Sequence, residues 1–256
     1  MQAVSAGLLA GFVGFASSFA VVLQGLVAVG ASPAQAASGL MALSVAMGLA
    51  GILLSLRLRL PVSVAWSTPG AALLAATAAP AGGFAEAVGA FLVCGVLLTA
   101  AGLWKPLGRA VAAIPAPLAN AMLAGILFVL CLAPVRAVAE QPVAGLAIVL
   151  AWAVVARINR LLAVPAAVAV AVGVIAASAP LPSAGWMPQP ELVLPGFSVA
   201  AMTGIALPLF IVTMASQNIP GLAVLSANGY RPEAGPLFTT TGLFSVADPG
   251  RRERAG

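Results

Sequence analysis

The sequence consists largely of apolar stretches, each about as long as a bilayer-spanning helix. About 20 apolar residues in a helix cross the hydrocarbon core of a bilayer, which is roughly 30 Å thick. On this basis spans are predicted near residues 6–29, 35–55, 62–79, 84–103, 116–133, 143–156, 162–179 and 203–227. Only 7% of the 256 residues are charged, whereas about a quarter of the residues are charged in soluble domains. The sequence therefore predicts an all-α polytopic membrane protein whose solvent is the lipid bilayer.

The basic residues between these stretches fall mainly in alternate loops. Seven of the eight lie in even-numbered loops, and only Arg136 lies in an odd-numbered one. The seven are Arg57, Arg59, Lys105, Arg109, Arg157, Arg160 and Arg231. Because cytoplasmic loops are enriched in Lys and Arg, the pattern predicts that the even-numbered loops and the N-terminus lie in the cytoplasm. We interpret the net charge of +5 as a record of this topology, not as a nucleic-acid-binding surface.

The third apolar stretch has the pattern of a broken span. Pro61 is followed by an alternating, β-branched run that ends at Trp66, and Ser67-Thr68-Pro69-Gly70 then has the pattern of a helix start. Six extended and eleven helical residues would cover roughly 36 Å. The helix is therefore predicted to begin inside the membrane.

A second interruption is predicted in the eighth stretch, where Ser216, Gln217 and Asn218 precede Pro220 and Gly221. Irregular backbone at membrane depth is tolerated only where it is buried in protein or lines a cavity. Interrupted helices are typical of secondary transporters, because the N-terminus of a half-helix presents N–H donors and a positive dipole end to an anion. Two proline kinks in a passive bundle are the alternative interpretation.

Three segments carry a resemblance to a known family. They are PVSVAWSTPGA at 61–71, LPLFIVTMASQNIPG at 207–221 and ANGYRP at 227–232, and they resemble the BenE family of benzoate/proton symporters. The resemblance extends to about Phe244 or Ser245. It implies a fold like that of the nucleobase symporters, with two inverted repeats of seven spans each. The substrate would lie between half-helices of the third and tenth spans, beside the first and eighth.

The resemblance also implies a set of substrate-binding residues. Trp66, Ser67 and Thr68 would line the site from the third span, and Ser216, Gln217 and Asn218 from the eighth. The aromatic ring would be held by residues such as Trp66, Phe19 or Phe210, and the carboxylate by N–H groups between Thr68 and Gly70. Gln24, near the end of the first span, completes the predicted set.

The same comparison with the family pattern predicts three segments. Residues 1–197 form the first seven-span repeat with an external loop at 180–197, and residues 198–245 form the eighth span and a short part of the ninth. Residues 246–256 form a charged tail outside the family pattern. On this interpretation the chain is a truncated or frame-disrupted member that inserts into the membrane but does not carry out coupled uptake.

The leading functional hypothesis is proton-coupled uptake of benzoate or a similar aromatic carboxylate. The sequence has no His and no acidic residue clearly inside a span, and Glu86 is interpreted as a surface residue at a span end. An intramembrane enzyme would need a base, a paired acid or a metal-ligand set, so no catalytic residue, metal or cofactor is predicted. A non-transporting membrane fragment and a nucleobase or other anion symporter of the same fold are the alternatives. A homo-oligomer is left open.

The charge pattern makes the topology testable. Single cysteines placed at 107 or 158 in a cysteine-free background should react with a membrane-impermeant maleimide only after the cells are opened. Labelling of either position from outside intact cells would contradict the predicted orientation.

Overall fold

The computed structural model is helical wherever regular structure occurs in the residues it describes, which are 2–104, 106, 116–178, 188–230 and 234–246. No strand is found among them. Four helices in these ranges are long and apolar enough to cross a membrane: Ala10–Ala28, Pro33–Leu58, Phe84–Leu103 and Val199–Ala227. The predicted all-α class is confirmed, and the arrangement in two seven-span repeats stays a prediction.

The predicted spans correspond in order to the first eight helices. The helices are α1 (Gln2–Ala28), α2 (Pro33–Leu58), α3 (Thr68–Ala75), α4 (Phe84–Leu103), α5 (Ala116–Glu140), α6 (Pro142–Ile158), α7 (Ala163–Ser178), α8 (Val199–Ala227) and α9 (Ala234–Val246). Helix α5 extends past its predicted end at residue 133, so Arg136 lies within a helix and not in a loop. Residues 188–197 of the predicted external loop are not helical, and the rest of that loop and the tail at 247–256 lie outside the described residues.

Helix α3 is shorter than predicted. It contains eight residues, not eleven, because Thr77 closes it: the Thr77 hydroxyl donates to the carbonyl of Leu73 at 2.8 Å, and its N–H donates to that of Leu74 at 3.0 Å. Pro80 follows, and a residue before proline is disfavoured in the helical conformation.

The second predicted interruption is wrong as a break, because α8 is a continuous helix. It contains two π-helical turns, Met202–Ala206 and Met214–Asn218, each ending two residues before a proline. A proline inside a helix removes one N–H and its ring collides with the carbonyl four residues earlier. In the wider π turn, the N–H of the residue before the proline donates to the carbonyl five residues earlier. The Ile219 N–H donates in this way to the Met214 carbonyl. The backbone thus accommodates Pro208 and Pro220 without unwinding.

The chain divides into two compact units, one comprising residues 1–20 and 127–187 and the other residues 21–126 and 188–256. In the first unit, α5 and α6 meet closely, since a Cβ added at Gly145 would lie 2.8 Å from the Cα of Val138. In the second unit, α2, α4, α8 and α9 share an apolar core that includes Leu54, Leu98 and Met214.

Helix α9, predicted to be only a short part of a span, packs tightly on α4. Each helix carries a Gly, a Thr four residues later and a Gly three residues after that. The residues are Gly95, Thr99 and Gly102 on α4, and Gly235, Thr239 and Gly242 on α9. The glycines bring the backbones together: a Cβ at Gly102 would collide with the Thr239 side chain, and a Cβ at Gly242 would collide with Thr99. The pairing runs antiparallel, with the first glycine of one helix near the last of the other.

This packing predicts opposite effects for two Gly→Ala substitutions. Gly102→Ala should lower the free energy of unfolding by about 1–3 kcal/mol, because its Cβ meets backbone and side-chain atoms of α9. Gly173→Ala, in α7, meets no atom within 4 Å and should be neutral or stabilising by up to about 1 kcal/mol. Denaturation in mixed micelles followed by circular dichroism measures both. Equal stability of the two variants would contradict the close α4–α9 contact.

Candidate functional site

Residues 60–67 form an extended segment that leads into α3. From Pro61 to Trp66 the even-numbered residues are half-buried and the odd-numbered ones exposed. Val62 and Val64 pack against the core cluster that contains Met214, and Trp66 packs against a second cluster that contains Leu26. The alternation predicted for this run is confirmed.

Helix α2 supports the extended segment along its length. The contacts are Ser55 Oγ to the Val62 carbonyl at 3.1 Å, a Cβ built at Gly51 to the Val64 nitrogen at 4.0 Å, and the Trp66 N–H to Met47 Sδ at 3.2 Å. Four residues of α2 therefore correspond to two residues of the segment, in antiparallel order. The rises agree, since four helical residues advance about 6 Å and two extended ones about 6.6 Å.

Ser67 begins α3 as its N-cap. Its backbone is extended, at φ −79° and ψ 96°, and its hydroxyl accepts the N–H of Gly70 at 3.1 Å. Pro69 has no N–H. In the part of the chain that the structure describes, the N–H groups of Ser67 and Thr68 and the Thr68 hydroxyl have no hydrogen-bond partner. Of the N–H donors predicted between Thr68 and Gly70, only that of Thr68 is available, because Pro69 has none and the Ser67 cap occupies the N–H of Gly70. The N–H of Ser67 lies just before the predicted range.

Helix α3 is packed between α1 and α8 at two glycines. A Cβ at Gly25 of α1 would lie 2.5 Å from the carbonyl oxygen of Ala71. A Cβ at Gly70 would lie 2.7 Å from Leu209 Cδ1 of α8. The predicted site residue Gln24 is exposed and precedes Gly25 in α1. Sequence reasoning did not assign a role to Gly25 or Leu209, although a glycine beside a predicted site residue was a usable signal.

Ser216, Gln217 and Asn218 lie on the second π turn of α8 and are half-buried. The Ser216 hydroxyl donates to the Val212 carbonyl at 2.6 Å, and the Asn218 amide donates to Met214 Sδ at 3.1 Å. The Gln217 amide makes no hydrogen bond to another described residue. Gly70 contacts α8 at Leu209, about two helical turns from Ser216. A direct approach of the two groups of polar residues stays a prediction.

The three predicted aromatic residues lie in different surroundings. Trp66 lies directly before the α3 N-cap, whereas Phe210 is 3% exposed and packs in the core shared by α2, α4 and α9. Phe19 belongs to the first compact unit, where its ring stacks on Phe15 at 5.5 Å. The position of Trp66 therefore favours it as the ring that meets a ligand at the α3 start.

Glu86 has a structural contact that its interpretation as a surface residue missed. Its side chain is half-buried and accepts the hydroxyl of Ser198 at 2.8 Å, and Ser198 also caps α8 by accepting the N–H of Ala201. Beside it, the Gly196 N–H donates to the Ala85 carbonyl at 2.8 Å. Glu86 thus fixes the start of α8 to the first turn of α4. Within the described ranges no three His, Cys, Asp or Glu side chains are grouped so as to hold a metal ion.

Comparison with known proteins identifies a family match over almost the whole chain. The sequence profile of the family described as "BenE: Benzoate membrane transport protein" matches residues 1–249. The inner membrane protein YdcO of Escherichia coli is 38% identical over 244 residues, which cover 94% of this chain and 62% of that protein. The benzoate membrane transport protein of Acinetobacter baylyi is 27% identical over 249 residues, which cover 96% of this chain and 63% of that protein. The chain therefore spans less than two thirds of the length of either relative. No solved structure matches the chain.

The N-cap geometry predicts a local effect for Ser67→Ala. Loss of the hydroxyl should destabilise the first turn of α3 by about 1 kcal/mol, which corresponds to roughly fivefold faster amide exchange at Gly70. Hydrogen exchange with mass spectrometry measures this on peptides that contain residues 68–75. Ser67→Asn should restore the protection, because Asn is also a good N-cap. Ser63→Ala, on the exposed side of the extended segment, is the matched control, and the cap assignment fails if it accelerates exchange as much.

Proposed function

This chain belongs to the BenE family of benzoate membrane transport proteins, and from this we propose that it acts in secondary transport of benzoate or a similar aromatic carboxylate across the bacterial inner membrane, coupled to protons. The observation that carries the proposal is the start of α3, where N–H donors without a partner among the described residues lie directly after Trp66. A relative that is 27% identical is a benzoate membrane transport protein. The apolar helices and the inner-membrane relative agree with a membrane transporter.

The proposed binding mode assigns the carboxylate to the α3 start. A carboxylate is ionised at neutral pH and needs several hydrogen-bond donors when it leaves water. The N–H groups of Ser67 and Thr68, together with the Thr68 hydroxyl, supply such donors at the positive end of the helix dipole. The benzoate ring would lie against the indole of Trp66, since aromatic rings favour stacked or edge-to-face contact.

The opposite side of the substrate is assigned to α8 and α1. Gln217 has an amide that no described residue uses, so it is the first candidate for a ligand contact from α8. The side chains of Ser216 and Asn218 already form hydrogen bonds within α8. To contact the substrate beside Gln217, they would have to exchange these hydrogen bonds for bonds to the substrate. Gln24 is exposed on α1 beside the α1–α3 contact and completes this side.

Proton coupling is the most detailed part of the proposal. The chain has no His, and Glu86 is engaged with Ser198 at the start of α4. Two proton carriers are consistent with this inventory: the carboxyl group of the substrate itself, and a residue in the part of the relatives that this chain does not match.

The proposal predicts that benzoate binding depends on Trp66. Trp66→Ala should weaken binding of radiolabelled benzoate to the chain in lipid nanodiscs by about tenfold, because the ring contact is lost. Trp104→Ala is the matched control, since Trp104 is 61% exposed at the end of α4. Unlabelled uracil should not compete, whereas it would compete at a nucleobase site. No saturable binding to the unmodified chain, or equal binding by the two variants, would contradict the proposal.

The same assay tests the role of Gln217. Gln217→Ala should weaken benzoate binding by about 1–3 kcal/mol if the amide donates to the substrate. Gln189→Ala, in the exposed loop before α8, should leave binding unchanged. An unchanged affinity for Gln217→Ala would assign that residue to packing, while the role of Trp66 would be judged separately.

A further inference from the structure

A cavity lies beside the turn between α6 and α7, in the first compact unit. Its volume is about 570 Å³, and its lining residues are Trp152, Ala153, Ala156, Arg157, Arg160 and Ala163. All but Arg160 and Ala163 lie on the last turns of α6. The cavity is open because three of its lining side chains are small alanines. The indole of Trp152 forms one wall, and the two arginines make the cavity positively charged. Neither the candidate transport site nor the comparisons assign a role to this cavity.

The two arginines are available to bind an anion. Both are exposed, and neither forms a salt bridge with another residue in the described part of the chain. A guanidinium group presents a planar set of N–H donors that matches the oxygens of a phosphate. Arg157 on the last turn of α6 and Arg160 in the turn that follows are three residues apart, so they can approach the same phosphate group.

The surroundings of the cavity are apolar. Three large apolar side chains next to the arginines in the sequence are exposed: Ile158, Leu161 and Leu162. Trp152 is 50% exposed and lies less than two turns before the helix end, the depth at which Trp residues concentrate at membrane interfaces. A ligand that fits this environment carries a negative group and apolar chains together. Free phosphate has only the first of these.

We propose that the α6–α7 turn binds the headgroup of an anionic phospholipid. Arg157 and Arg160 hold the lipid phosphate, Trp152 lies at the level of the glycerol backbone, and the acyl chains lie along Ile158, Leu161 and Leu162. Basic pockets at the ends of membrane helices bind acidic lipid headgroups by this chemistry. The two arginines also belong to the charge pattern that predicts a cytoplasmic loop, so the lipid would come from the inner leaflet.

Fluorescence quenching of Trp152 tests the proposal on the full chain. The other three tryptophans are replaced by phenylalanine, and the protein is placed in phosphatidylcholine nanodiscs. Phosphatidylglycerol or phosphatidylcholine with brominated acyl chains is then added at equal fractions. The anionic lipid should bind preferentially, by about fivefold for each arginine. Arg157→Gln/Arg160→Gln should reduce the preference to about one.

A charge-matched control separates a site from a general surface effect. Arg57→Gln/Arg59→Asn removes the same charge at the end of α2 and should leave the preference intact; Asn suits position 59, where φ is 52°. Soluble glycerol phosphate should not reduce quenching. The proposal fails if the two lipids quench equally or if Arg157→Gln/Arg160→Gln leaves the preference unchanged. It also fails if the control variant loses the preference equally or if glycerol phosphate displaces the lipid. Circular dichroism confirms that all variants are folded.

Discussion

The structure depends on how the backbone of residues 60–67 is accommodated inside an apolar sequence. Extended backbone exposes N–H and C=O groups, and the hydrocarbon region of a bilayer supplies no partners for them. Helix α2 provides two of these partners: Ser55 donates to the Val62 carbonyl, and Met47 accepts the Trp66 N–H. The spacing of Ser55 and Met47 along α2 matches the rise of the extended segment. The segment then leads into α3, whose first turn contacts α8 at Gly70, and allows α3 to begin partway along the third apolar stretch. Because the helix begins there, its first N–H groups have no partner among the described residues and form the donors of the candidate site.

The same constraint has a different outcome in α8. Pro208 and Pro220 lie within a helix whose flanking residues Phe210 and Met214 are buried in the core with α2, α4 and α9. Unwinding α8 would remove both side chains from that core, at a cost of a few kcal/mol. Two π turns satisfy the prolines with smaller rearrangements of the hydrogen bonds. A proline therefore marks a helix start where a serine cap precedes it, as at Ser67, and a π turn where the helix on both sides is anchored by packing.

Local signals in the sequence predicted the order of the helices but neither all of their ends nor their contacts. Apolar length placed the helices, and the alternating run before the Ser-Thr-Pro-Gly pattern placed both the extended segment and the start of α3. The π turns were not predictable, because they arise from a conflict between proline and tertiary packing that no local pattern reports. The Glu86–Ser198 bond and the α4–α9 contact join residues more than a hundred positions apart. In the candidate site, the sequence predicted N–H donors from Thr68 to Gly70 but not the loss of the Gly70 N–H to the Ser67 cap, which depends on side-chain geometry.

The geometry of α3 also limits how far this half-helix can move relative to its neighbours. Gly25 places α1 against the backbone carbonyl of Ala71, and Gly70 places α3 against the Leu209 side chain of α8, so no side chain of α3 at Gly70 or of α1 at Gly25 separates the helices. Contacts of this kind leave little room for α3 to shift alone, because a small displacement produces collisions with backbone atoms. If the proposed carboxylate site at Thr68 is correct, any displacement of this half-helix must involve the parts of α1 and α8 that contact it.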